Sequence, residues 1–152
     1  MGKTPGQKAA RVKGFKMSES EILRKIAVIF VTDVVGFSTL MAQNEELTLR
    51  SFRSCKEILD NLFEEHSGRI FNTAGDSVLA EFPSAVSAVI CAVEFQKLIK
   101  ARNASVPNAA QMQFRIGLNM GDVIIEGTNL YGDGVNVAAR LEALSQAGGV
   151  CL

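Results

Sequence analysis

Ile26-Ala27-Val28-Ile29-Phe30-Val31 is six apolar residues without alternation, the pattern of a strand covered on both faces, and it predicts a strand over 26–32. Phe52, Cys55, Ile58, Leu59, Leu62 and Phe63 then recur at helical spacing, with Arg53, Lys56, Glu57, Asp60 and Glu64 turned outward. His66-Ser67-Gly68 supplies the stop, an imidazole in the last turn followed by glycine. Residues 70–73 and 78–82 are short, β-prone segments around Ala74-Gly75-Asp76-Ser77, a hairpin signal. Pro83-Ser84 opens a second helix with Ser84 as N-cap and Ala85, Ala88, Val89, Ala92, Phe95 and Ile99 as its apolar stripe. After a loop at 103–110 around Pro107, Met112, Phe114, Ile116, Leu118 and Met120 alternate with Gln113, Arg115, Gly117 and Asn119. This predicts a strand with one wet or partner-facing side. Gly121-Asp122 reads as a turn into a short strand at 123–126. Gly132-Asp133-Gly134 precedes a helix beginning near Val135, with Val137, Leu141 and Leu144 as its core face.

The element order is β-α-β-β-α-β, so the expected class is α+β, a ferredoxin-like sandwich with its helices on one sheet face. Residues 1–24 carry Lys3, Lys8, Arg11, Lys13 and Lys16 before the first acid, Glu19, and read as a basic, mobile arm ahead of a domain at 25–152. A chain of 152 residues with 47% hydrophobic and 21% charged positions is long and apolar enough to bury one core, which excludes a disordered chain. A net charge of zero argues against nucleic-acid binding by bulk electrostatics. No apolar run approaches the roughly 20 residues of a membrane helix, and no secretory leader pattern stands near the start. Cys55, Cys91 and Cys151 lack metal-ligand spacing and are expected to pack as small hydrophobes in a reducing, cytoplasmic setting.

Two carboxylates stand out. Asp33 closes the first strand and Asp76 occupies the hairpin tip. If that strand lies beside the hairpin, both meet at one end of the sheet. Two bare anions about 4 Å apart repel by roughly 1 to 4 kcal/mol, a conflict resolved by raising one pKa or by inserting a cation. Magnesium or manganese is the cation such hard oxygen ligands suit. The bland alternative for Asp76 is a turn residue bonding its own backbone. Asn136 and Arg140 lie four apart on one helix face, either as a solvated pair or as two heads reaching one ligand; an arginine fork suits phosphate. His66, the one histidine, reads as a helix-end residue.

Three stretches, Asp33-Val34-Val35-Gly36-Phe37-Ser38, Asn72-Thr73-Ala74-Gly75-Asp76 and Val135-Asn136-Val137-Ala138-Ala139-Arg140, together resemble the class III adenylate/guanylate cyclase catalytic domain of bacterial type. The resemblance implies a nucleotide cyclase fold, a ferredoxin-like core with additions. It implies cyclisation of ATP to 3′,5′-cyclic AMP and pyrophosphate at a head-to-tail homodimer interface, with GTP as the alternative substrate. By the same resemblance, Asp33, Asp76 and the carbonyl of Val34 hold two Mg2+ or Mn2+ ions, and Gly36, Phe37 and Ser38 bind triphosphate. Asn136 orients the ribose, and Arg140 meets charge developing on phosphate, both from the partner subunit. Asn72 and Asn129 stand where family members select adenine with Lys and Asp. Family domains continue some tens of residues past the position of Leu152, so the domain is expected to be C-terminally short. A non-catalytic nucleotide-binding or dimerising module of the same fold is the competing expectation. A diguanylate cyclase would need G-G-[DE]-E-F at the hairpin, and an RNA-binding sheet would need exposed aromatics, for which Phe71 is the one candidate.

Overall fold

A computed structural model of the chain describes residues 22–152. The basic arm expected at 1–24 lies outside the described residues up to position 21, and Leu23 and Arg24 already belong to the first strand. The elements are β1 (Leu23–Val34), α1 (Phe37–Gln43), α2 (Glu45–His66), β2 (Arg69–Ala74), β3 (Ser77–Phe82), α3 (Ala85–Ala104), β4 (Phe114–Glu126), β5 (Asn129–Tyr131), α4 (Asp133–Leu144) and β6 (Val150–Cys151), with a 3₁₀ turn at Asn108–Ala110. The sheet order is β2-β3-β1-β4-β5, with β6 joined parallel to β4, so the core strands follow the ferredoxin-like arrangement.

β1 lies at the centre, and its uninterrupted apolar run serves two cores. Val28, Phe30 and Val34 face α2 and α3, where Phe30 meets the Phe63 ring edge-on at 5.2 Å. Ala27, Ile29 and Val31 face the other way, against Val123, Leu130, Val135 and Ala138. The sheet therefore carries helices on both faces, and the expectation of one helical face is corrected. The face of Arg115, Gly117 and Asn119 is covered by α4: Asn119 Nδ2 donates to the Gly134 carbonyl (3.0 Å) and Arg115 Nε to the Ser145 carbonyl (3.2 Å). Phe71 is buried in this second core, which removes the one candidate base-stacking aromatic.

Glycine makes that covering possible. A Cβ at Gly117 would lie 2.7 Å from Glu142 Cα and closer still to other backbone of α4. A Cβ at Gly134 would lie 2.7 Å from the Asp122 carbonyl oxygen. Small residues thus let α4 backbone touch β4 backbone. The buried face of α4 is consequently Gly134, Val135, Ala138 and Glu142. The expected face of Val137, Leu141 and Leu144 is displaced to the flank, and Leu144 is 75% exposed.

Local signals behave as their chemistry dictates, with three differences. Asn44 breaks the first helical region, its Oδ1 accepting from Leu47 N–H to start α2. At the end of α2 the left-handed residue is Ser67 (φ 63°), while Gly68 is required because a Cβ there would lie 2.7 Å from the Phe82 ring. Gly121-Asp122 does not turn: it pairs straight through with Ala27 and Ile26, so the two predicted strands are one. The turn preference of Gly-Asp yields to a β1 long enough to pair with all of β4. Ser84 caps α3 as expected, accepting from Ser87 N–H.

Candidate functional site

β1 and β3 pair with Thr32 opposite Val78, which puts the end of β1 beside the β2–β3 turn. Gly75 takes the positive φ of that turn (60°) and leaves Asp76 pointing back at β1. The Val34 N–H donates to Asp76 Oδ2 at 2.8 Å, so Asp76, Asp33 and the Val34 backbone share one end of the sheet. Asp33 is opposite Arg115 on β4, and Thr32 Oγ1 ties that strand by donating to the Arg115 carbonyl (2.7 Å). Neither aspartate joins an ion pair among the described residues. Asp33 Oδ1 is buried without a donor. Two half-buried carboxylates, one of whose oxygens is a buried acceptor lacking a donor, form a hard-oxygen set that fits Mg2+ or Mn2+.

A third acid joins them from α4. Glu142 is only 7% exposed, and the charges of Asp33, Asp76 and Arg115 all bear on its carboxyl. Burial first, then the hydrogen bond and charge of Asp33 and the charge of Asp76, push its pKa from 4.5 up to about 8, with Arg115 opposing. Sequence reading missed this residue because the α4 core face was assigned by its largest apolar side chains. The signal that finds it is glycine and alanine at Gly134 and Ala138, one turn apart, opposite a glycine inside a strand.

The folded chain therefore holds a proton on Glu142 that the unfolded chain releases above about pH 4.5. The stability this confers is full below that pH and is lost as pH rises through about 8. In the presence of a chelator, the melting temperature of the wild type is expected to fall across this window, and that component of the slope should vanish in Glu142→Gln.

α1 begins at Phe37 behind Gly36, which sits at φ 65° with no side-chain cap, while Phe37 itself packs on Phe52 at 5.8 Å. Gly36 and Ser38 are exposed beside the carboxylate end. Asn136 and Arg140 are exposed on the outer side of α4, one turn apart and facing away from the buried Glu142. Asn72 is exposed on β2 next to a register shift. The sheet curls enough for Arg69 Nη1 to donate to the Thr128 carbonyl (2.7 Å), drawing β2 toward β5 and Asn129. Asn129 Oδ1 accepts from Leu130 N–H (2.8 Å), and its Nδ2 donates to Tyr131 Oη (3.0 Å). Outside this region, His66 Nε2 lies 3.1 Å from Glu94 Oε1, tying the end of α2 to α3. Burial pushes the Cys91 thiol up to about 12 and also raises Cys55, so both are inert fillers. No helix among the described residues is long and apolar enough to cross a membrane.

Residues 18–152 match the family described as the adenylate and guanylate cyclase catalytic domain. The chain belongs to that family. This cyclase domain is 44% identical over 137 residues to "Putative adenylate cyclase 3" of Rhizobium meliloti (strain 1021), a match covering 90% of the chain and 23% of that protein. The chain thus spans about a quarter of the length of that relative. Among solved structures it resembles the adenylate/guanylate cyclase/hydrolase from Silicibacter pomeroyi, at 37% identity and a TM-score of 0.76, over 86% of this chain and 76% of that one. It also resembles the adenylyl cyclase CyaB from P. aeruginosa, at 25% identity and a TM-score of 0.73, over 86% of this chain and 77% of that one.

Proposed function

We propose that this cyclase domain converts ATP to 3′,5′-cyclic AMP and pyrophosphate at a site shared by two copies of the chain. The observation that carries the reading is the convergence of Asp33 and Asp76 at one end of the sheet while Asn136 and Arg140 stand exposed on the outer side of α4. In this reading Asp33, Asp76 and the Val34 carbonyl hold two divalent cations. Such ions acidify a hydroxyl and neutralise phosphate oxygens. The ribose O3′ forms a bond to the α-phosphorus, the bond from that phosphorus to the pyrophosphate oxygen breaks, and the hydroxyl proton is released to water.

The chain's own residues do the positioning. The start of α1 at Gly36, Phe37 and Ser38 receives triphosphate oxygens. Asn136 of the second copy orients the ribose, and its Arg140 places fixed charge where the phosphate becomes more negative. Asn72 and Asn129 face the base. Because Leu130 N–H fixes Asn129 Oδ1 and Tyr131 Oη takes one Nδ2 hydrogen, the second Nδ2 hydrogen remains to donate, suited to N1 of adenine or O6 of guanine. ATP is chosen by similarity to the Rhizobium protein and to CyaB, both named for adenylate chemistry.

The test is incubation of the purified domain with Mn2+ and either ATP or GTP, followed by chromatography. Cyclic AMP from ATP is the expected product; cyclic GMP from GTP alone corrects the base, and no product at any protein concentration sinks the catalytic reading. The shared site has a second consequence. Asp33→Ala and Arg140→Ala are each expected to be inactive, yet a one-to-one mixture should recover about a quarter of the wild-type rate, since half the dimers carry one intact site. A mixture as dead as its parts would place both residues in the same subunit's site.

A further inference from the structure

We propose that the outer face of α3 is a second self-association surface, on which two copies of the chain pair helix to helix, antiparallel. α3 is apolar on both sides. Ala88, Cys91, Ala92, Phe95 and Ile99 are buried in the core that the sheet shares with α2. On the opposite side Val86, Val89, Ile90 and Val93 are between 36% and 67% exposed. The last three line an open groove of about 270 Å³ with Glu94 and Lys97. A helix that is apolar all round is expected to be covered all round. Four large apolar side chains within two turns of one helix mark a missing neighbour, where single scattered ones would not.

The spacing of the four identifies that neighbour as a second copy. They read Val-x-x-Val-Ile-x-x-Val, with the apolar positions the same in either direction along the helix. In an antiparallel pair with its twofold axis between Val89 and Ile90, Val86 meets Val93 of the other copy and Val89 meets Ile90. Symmetry repeats each contact, as a self-complementary twofold interface demands. The charge beside the stripe fits the same register. Glu94 comes over Ala85 at the start of the other helix, whose first turn carries no acidic residue. A carboxylate there is favoured by the helix dipole. Lys97 falls opposite position 82, beyond the end of the facing helix, which begins at Ala85. The face is free for this pairing because α4, with Asn136 and Arg140, packs on the other side of the sheet. This contact is independent of the catalytic one and, where both form, joins two catalytic pairs into one assembly.

The test combines cysteine cross-linking with sedimentation in a Cys151→Ser background, where the remaining thiols, Cys55 and Cys91, are buried. Val86→Cys and Val93→Cys chains, mixed and oxidised, are expected to form the 86–93 disulfide, identified by peptide mass. Neither chain alone should cross-link. Like positions are offset by seven residues along the pair, about 10 Å at a helical rise of about 1.5 Å, beyond the roughly 7 Å that a disulfide spans between Cα atoms. Adding Ile90→Glu to both chains is expected to weaken association about tenfold or more, because it places an unpaired charge at the centre of the contact. The weight-average mass by sedimentation should fall with it. Ile90 is exposed in the single chain, so the melting temperature should hold; if it does not, Ile90→Ser takes its place. A disulfide formed as readily by either chain alone would overturn the proposal, as would a mass that the Ile90 variant leaves unchanged. No disulfide in the mixture gives the face to a different occupant and overturns it equally.

Discussion

Asp33→Asn is expected to abolish cyclase activity while raising the melting temperature. The amide replaces a charged ligand by a neutral one, and loss of such an electrostatic contact typically costs about 10²- to 10³-fold in turnover. The same change removes an anion from a group of three carboxyls and supplies Oδ1 or Nδ2 as a partner for Glu142. A gain of about 1 kcal/mol corresponds to a rise of about 2–4 °C in a domain of this size. Calorimetry under chelation and a product assay with Mn2+ read the two effects. A variant that is both less stable and inactive would mean that Asp33 serves the fold; one that is active would remove it from the site. The combination of lower activity with higher stability marks a residue held against its own preference for the sake of chemistry.

Gly117→Ala is expected to be the most damaging single-methyl change in the sheet. The added carbon would sit 2.7 Å from Glu142 Cα and nearer still to other α4 backbone, where no side chain can rotate away. Overpacking of this kind costs about 3 kcal/mol, and here the helix must lift as a unit. Lifting α4 displaces Asn136, Arg140 and Glu142 together, so activity should fall further than stability alone explains. Chemical denaturation gives the first quantity, and turnover measured far below the melting temperature gives the second. By contrast Gly75, where a Cβ would meet nothing within 4 Å, is needed for its left-handed turn alone and should lose only local order on substitution.

These two glycines also show what was legible in the sequence. Gly75 announced itself because a turn glycine between two β-prone segments has a local cause, and the hairpin with Asp76 at its tip followed. The run before Asp33 likewise declared a strand buried on both sides, and its neighbour across the sheet brought the aspartates together. What was not legible depended on non-local contact. Gly117 looked like one polar-face position among several, and only the approach of α4, about twenty residues onward in the chain, gives it a purpose. With that contact hidden, Val137, Leu141 and Leu144 naturally took the core face, and Glu142 fell among the solvated positions. Gly121-Asp122 misled for a related reason: its local turn chemistry is overruled by pairing with Ala27 and Ile26.

The fastening of α4 to β4 through Gly117 and Gly134 has a consequence for control. Within one chain the acid end of β1 and the outward amide and guanidinium of α4 are mounted on a single stiff block, with backbone against backbone. A signal cannot easily loosen one half of the site without unseating the other. In the proposed pair of chains, the coordinate left free is the tilt between two such blocks, so a sensor placed upstream would act as a lever on that angle and leave the interior of each block unchanged.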